Sequence, residues 1–258
     1  MMIIVHYANL FNLEGEKVEL EGKIIVLTGA TSGIGKEIFK KLAIKNKLIV
    51  ISRHGEDLKC QSNSNIWGFN CDFSKPFEVE QVADQVIKQF PQIDILINNA
   101  AIQYTPQFLD SDFAIETVER ETMINFVSVC RLIHFLMPSM LKQSRSIILN
   151  VNSGLGLIPK TTSAVYCATK AALNSFSISL SYQLEETNIR VLQAFMPLVD
   201  TPMTHGRGKG KITAEFAAEA LIEGIKKEKK SNDIGKVKIL RFLLNFAPFI
   251  AVRIMKRT

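Results

Sequence analysis

Tyr166 and Lys170 stand four residues apart in SAVYCATK (163–170), among the small side chains Ala164, Cys167, Ala168 and Ala171. Four residues is just over one helical turn, so on a helix both polar heads leave the same face. A phenol beside an ammonium is a proton-transfer pair. Free tyrosine, with a pKa near 10, exchanges its proton poorly near neutrality, and an adjacent cation favours tyrosinate. The small neighbours let that face lie close against a bound molecule. An ordinary surface Tyr–Lys pair has the same spacing, so the pair alone does not establish chemistry.

TGATSGIG (28–35) adds a second candidate. It follows a short apolar run, KIIVLT (23–28), and opens GKEIFKKLAIK (35–45), whose apolar residues recur at helical spacing. Its glycines form G-x-x-x-G-x-G instead of G-x-G-x-x-G, but the same physics applies. A glycine-lined turn from strand to helix lets backbone amides approach a pyrophosphate at the positive end of the helix dipole. Gly29, Thr31, Ser32, Gly33, Ile34 and Gly35 are the candidate phosphate-binding residues.

Short apolar runs alternating with helical stretches must position these motifs. The predicted strands are 23–28, 47–52, 65–70, 93–98, 146–151 and 189–195, with a last one at 233–240. Helices are predicted at 35–45, 76–90 (opened by Pro76), about 113–143, from 163 to about 186, and 213–227 with Thr213 as cap. Strands apolar throughout and separated by helices indicate a parallel sheet covered on both faces. The expectation is one α/β, doubly wound Rossmann-type domain with about seven strands, over 18–240. Residues 1–17 read as an N-terminal extension and 241–258 as a basic amphipathic segment.

Composition narrows the function classes. The 258 residues carry a net charge of +6. Residues 226–258 hold ten Lys and Arg against Glu228 and Asp233, which leaves the rest of the chain slightly acidic. A nucleic-acid binder would spread its basic face across the fold, so nucleic acid is not expected as a partner. Cys60, Cys71, Cys130 and Cys167 lack paired or metal-like spacing and the four histidines are scattered. Reduced thiols in a cytoplasm, and no metal, follow. No uninterrupted apolar run reaches bilayer-spanning length, and the opening MMIIVHYANLF lacks a basic n-region and a cleavage site.

Together the motifs resemble the short-chain dehydrogenase/reductase family over about residues 20–230. TGATSGIG resembles its T-G-x-x-x-G-x-G turn, and NNAA (98–101) its N-N-A-G. Asn125 in MINFVSV matches its helical asparagine. Ser153, Tyr166 and Lys170 match its catalytic triad, with Ser153 thirteen residues before Tyr166. NNAAIQ, VNSGLG, YCATK and PLVDTPM look most like the DltE-like branch. Ala101 stands where glycine is usual, Asn152 where serine is common, and Met196-Pro197 where the family has Pro-Gly.

The resemblance implies a nicotinamide dinucleotide held by the glycine turn and by Asn99, Ala100 and Ala101. It implies that Val199 and Thr201 lie over the carboxamide and that Asp72, followed by Phe73, contacts the adenine. Tyr166 becomes the proton donor or acceptor, with its pKa lowered by Lys170, which also bonds the nicotinamide ribose. Ser153 holds the carbonyl oxygen, and Asn125 keeps a water in the proton relay. The second strand ends ISRH, with Ser52 and Arg53 and no carboxylate before Glu56. An acid there would bind a ribose 2′-hydroxyl, whereas arginine suits a 2′-phosphate, so NADP(H) is expected over NAD(H).

The expected activity is an NADP(H)-dependent interconversion of a small-molecule carbonyl and alcohol. A dinucleotide-binding sensor or scaffold without turnover is the competing class, and a membrane-surface lipid reductase a third. In the family, the helices corresponding to 113–143 and 163–186 build oligomer interfaces, so a homodimer or homotetramer is expected. RFLLNFAPFIAVRIMKRT (241–258) suits peripheral contact with an anionic inner membrane surface. It also suits closure over the substrate cleft or packing on a second subunit, and Pro248 interrupts any continuous helix.

Overall fold

The computed structural model describes residues 18–59 and 65–257. The expected 1–17 extension and Cys60 lie outside them. Seven strands form one parallel sheet: β1 Ile24–Thr28, β2 Lys47–Ser52, β3 Ile66–Asn70, β4 Ile95–Asn98, β5 Ser146–Ser153, β6 Ile189–Met196 and, after a two-residue ribbon of β7 Val199–Asp200 with β8 Ile212–Thr213, β9 Ser231–Asp233. Their order is β3-β2-β1-β4-β5-β6-β9. The order of strand addition reverses between β1 and β4, and in open parallel sheets that switch point opens a crevice at the carboxyl ends of the strands.

The strands are apolar throughout because both faces are covered. α1 (Gly33–Leu42) and α7 (Ala214–Lys226) bury Ile38, Leu42, Leu221 and Ile225 against Ile25, Leu27, Val50 and Leu149 on one face. On the other, α3 (Pro76–Gln89), α5 (Ser128–Met140) and α6 (Ala164–Gln183) set Val82, Val86, Leu132, Leu136 and Leu173 against Val26, Ile49, Leu96 and Ile148. Each such side chain contributes roughly 1.5–3 kcal/mol on burial. α7 starts at the expected cap: Thr213 Oγ1 accepts the Phe216 amide hydrogen at 3.1 Å, a bond worth about 1 kcal/mol. A single turn, α2 (Glu56–Lys59), follows β2.

The long helix expected at 113–143 is α4 (Ile115–Thr122), a π turn at Met123–Val127 and α5, end to end. Ile115–Met140 includes a stretch apolar enough to cross a membrane, yet α5 spends its apolar face on the sheet through Leu132, Ile133, Leu136 and Met140. The strand expected at 233–240 is a correction. The strand is Ser231–Asp233, paired with Gln193–Phe195, and the chain then turns through Gly235 into α8 (Val237–Phe246) and α9 (Pro248–Met255). The apolar run VKIL reads locally as a strand but is helical. Val237 and Leu240 are three apart, and it is the helical face carrying them that packs inward. Pro248 opens α9 at its first position, where its missing N–H costs nothing.

Candidate active site

The turn from β1 into α1 is shaped by clashes that only glycine avoids. Gly29 has φ +68°, and a Cβ there would lie 2.9 Å from the Ala100 Cα. At Gly35 a Cβ would fall 2.0 Å from the Gly29 carbonyl oxygen, so α1 can start this close to the strand only without a side chain. Ser32 occupies the N-cap but makes no capping hydrogen bond. The first amides of α1, which no helix satisfies internally, therefore face the crevice. Asn99 braces the turn from β4, donating to the Thr28 and Gly29 carbonyl oxygens at 3.0 Å each. Such a glycine-lined cradle fits a dinucleotide pyrophosphate.

One cavity runs from this turn along the carboxyl edge of the sheet. Gly29, Thr31, Ser32, Gly33, Ile34, Gly35, Ser52, Arg53, Asp72, Phe73, Asn99, Ala100, Ala101, Val199 and Thr201 all line it, as do Ser153, Tyr166 and Lys170. At its far end Ser52 buries its hydroxyl without a hydrogen-bond partner, beside exposed Arg53. Among the described residues the lining holds one carboxylate, Asp72. Burial pushes that carboxyl up, but hydrogen bonds from the Ser74 amide and hydroxyl and the nearby Arg120 outweigh it, leaving Asp72 below its ordinary value.

β5 and α6 bring the triad together. Ser153 ends β5, opposite Met196 of β6, and its Oγ accepts the Leu155 amide hydrogen at 3.1 Å. α6 carries Tyr166 and Lys170 one turn apart, from a strained start: Ser163 at its N-cap has φ +60°, uncommon without glycine. Lys170 is buried, donates to the Val151 carbonyl oxygen at 2.9 Å and lies 5.7 Å from the Tyr166 ring centre. Burial pulls the ammonium down to about 8, partly opposed by Glu121. The expected lowering of the Tyr166 pKa is a correction. Burial pushes that phenol up to about 12, against the pull of its hydrogen bond with Ser153. Lys170 aims a proton at Val151 and stands 5.7 Å from the ring centre, so it does not offset the effect of burial on the phenol here.

Asn125 is fully buried in the π turn and does not line the cavity. Its amide is spent on structure: Oδ1 accepts the Ile102 amide hydrogen and Nδ2 donates to the Ile102 carbonyl oxygen, both at 2.9 Å, with Thr169 Oγ1 at 3.3 Å. It clamps the loop after β4 to α6, where the resemblance implied a water-holding role. One turn earlier, Glu121 accepts the Tyr104 amide hydrogen at 3.0 Å, extending the clamp along the same loop. Glu121 is the residue that sequence reasoning missed. It is buried, and burial pushes its carboxyl up to about 7 against the pull of the Tyr104 amide and Lys170. Its place four residues before Asn125 on a predicted helix was the available signal.

A doubly wound sheet with a glycine-lined turn and a Ser–Tyr–Lys cluster in the same crevice defines a nicotinamide-dependent oxidoreductase acting on a CH–OH/C=O pair. Residues 23–211 match the family model described as short chain dehydrogenase. The uncharacterized oxidoreductase DltE of Bacillus subtilis is 30% identical over 233 residues, covering 87% of this chain and 92% of the relative. Among solved structures, a short chain dehydrogenase from Burkholderia cenocepacia in complex with NADP superposes with a TM-score of 0.83 at 21% identity, covering 92% of this chain and 99% of that one. The 3-ketoacyl-(acyl-carrier-protein) reductase from Brucella melitensis, complexed with NADH, gives 0.76 at 25% identity, covering 84% and 98%. The chain belongs to the short-chain dehydrogenase/reductase family, in its DltE-like branch.

Proposed function

We propose that the chain interconverts a small-molecule carbonyl and its alcohol with NADP(H) in preference to NAD(H), and that Tyr166 is the general acid/base. The placement of Tyr166, Ser153 and Lys170 in one cavity with the glycine turn supports this most directly. The nicotinamide, when bound, supplies or accepts the hydride. The Gly29–Gly35 turn holds the pyrophosphate, flanked by Asn99, Ala100 and Ala101. Val199 and Thr201 cover the carboxamide, Lys170 bonds the ribose, and Asp72 with Phe73 borders the adenine. Ser153 donates a hydrogen bond to the substrate oxygen. Tyr166, kept protonated at neutral pH by burial, gives its proton as that oxygen gains charge. Asn125 positions the wall behind them.

Arg53 and the unpartnered Ser52 hydroxyl support the phosphorylated cofactor, because a 2′-phosphate would engage both. Of the two structural relatives above, one is in complex with NADP and the other with NADH. Free Cys71, Cys130 and Cys167 are in keeping with a cytoplasmic enzyme. Exposed Ile178 and Tyr182 on α6 suit a helix-to-helix homodimer or homotetramer.

The test follows nicotinamide absorbance over a panel of carbonyls, with the affinity for NADPH and NADH measured in parallel. NADPH should bind more tightly than NADH. Tyr166→Phe should lower kcat by about 10²–10⁴-fold while leaving the NADPH Kd within about twofold. Full turnover in that variant refutes the assignment. Tight NADPH binding with no turnover of any carbonyl would favour the sensor.

A further inference from the structure

The hairpin of α8 and α9 has two unlike faces. Its inner face is fastened. Val237 and Ala251 are buried, and a Cβ on Gly154 would lie 3.3 Å from both Val237 and Leu240. Thr161 Oγ1 donates to the Lys256 carbonyl oxygen at 2.7 Å. Arg241 hydrogen-bonds Asp233 and Ser231 and stacks over the Phe195 ring. The hairpin is thus held against the segment between Ser153 and Tyr166.

The outer face is apolar and exposed. Ile239, Phe242 and Phe246 recur at spacings of three and four on one side of α8, and Phe249 and Val252 continue the patch onto α9. Phe246 and Phe249 are each 72% exposed. Lys236, Lys238, Arg253, Lys256 and Arg257 are exposed on the same two helices or their flanks, and none forms an ion pair with another described residue. Residues 234–258 contain no Asp or Glu.

We propose that this face docks on an anionic lipid bilayer surface. Aromatic and aliphatic side chains on short helices enter the boundary between headgroups and acyl chains, while uncompensated Lys and Arg meet lipid phosphates. Charge selects this occupant over a second copy of the chain. An isologous contact would set one cationic rim against another with no carboxylate on either hairpin to separate them. The proposal does not depend on the catalytic reading, because docking requires no turnover.

Co-sedimentation of the full chain with vesicles tests it. Phosphatidylcholine vesicles containing about a third phosphatidylglycerol should retain the protein. Pure phosphatidylcholine, or high salt, should release most of it. Phe246→Ser with Phe249→Ser, and separately Lys236→Glu with Lys238→Glu, should each lower the partition coefficient by roughly tenfold or more. All four side chains are exposed, so circular dichroism and Tm should stay unchanged. Absence of retention on anionic vesicles, or retention untouched by both variants, overturns the proposal. So does a dimer, seen by sedimentation velocity, that the phenylalanine variant dissociates while vesicles go unbound; the face would then belong to a second copy.

Discussion

Glu121 and Lys170 place two ill-matched groups in the same wall, and their pKa values set a pH dependence of stability. Glu121 titrates at an ordinary 4.5 when exposed and at about 7 in the fold, so between those values the folded chain binds more protons than the unfolded one. Its contribution is complete below about pH 4.5 and is lost as pH rises through 7. Lys170 moves the other way, from 10.5 to about 8. Its burial is penalised below 8 and relieved as pH rises toward 10.5. Glu121→Gln keeps an acceptor for the Tyr104 amide but removes the titration. It should flatten the fall in Tm between pH 5 and 7 and stabilise the protein at pH 8 by about 1–3 kcal/mol, several degrees in Tm. A steeper fall in the variant, read by calorimetry across that range, would contradict this account. The residues named from spacing and motif line one cavity, except Asn125, which is buried behind it. The protonation states were not legible, because they depend on what burial removes, and no string of letters states that Lys170 points at Val151.

At the scale of elements, apolar runs flanked by turn residues marked β1, β2, β4, β5 and β6 to within a residue or two, because a strand buried on both faces has no room for polar side chains. β9 carried no such mark: Ser-Asn-Asp becomes a strand only because the Gln193–Phe195 edge is free to pair with it. The π turn was equally silent, since five residues of MINFV read as plain helix. Wide turns of this kind cluster at functional sites, and this one lets α4 pack on α6 while α5 packs on α3. Glu121→Ala with Asn125→Ala should release both ends of the clamp on the loop after β4. Helix content by circular dichroism should persist while turnover falls at least tenfold. Unimpaired turnover would mean that the clamp on residues 102–104 is dispensable.

For the whole molecule, the doubly wound class followed from alternation alone, whereas the path after Asp233 did not, because where a chain packs after its last full strand depends on which surfaces are still bare. Arg241 illustrates what that path achieves. A sheet ends at β9 after only three paired residues, and the Arg241 guanidinium occupies the side chains of Ser231 and Asp233 from the outside. An open edge is where strangers add strands. Here one cation corks it: Arg241, bonded to two of the strand's three side chains, would have to be displaced before another copy could add a strand. Arg241→Ala should leave the NADPH Kd unchanged yet raise light scattering during prolonged warm incubation, as the uncorked edge recruits its neighbours.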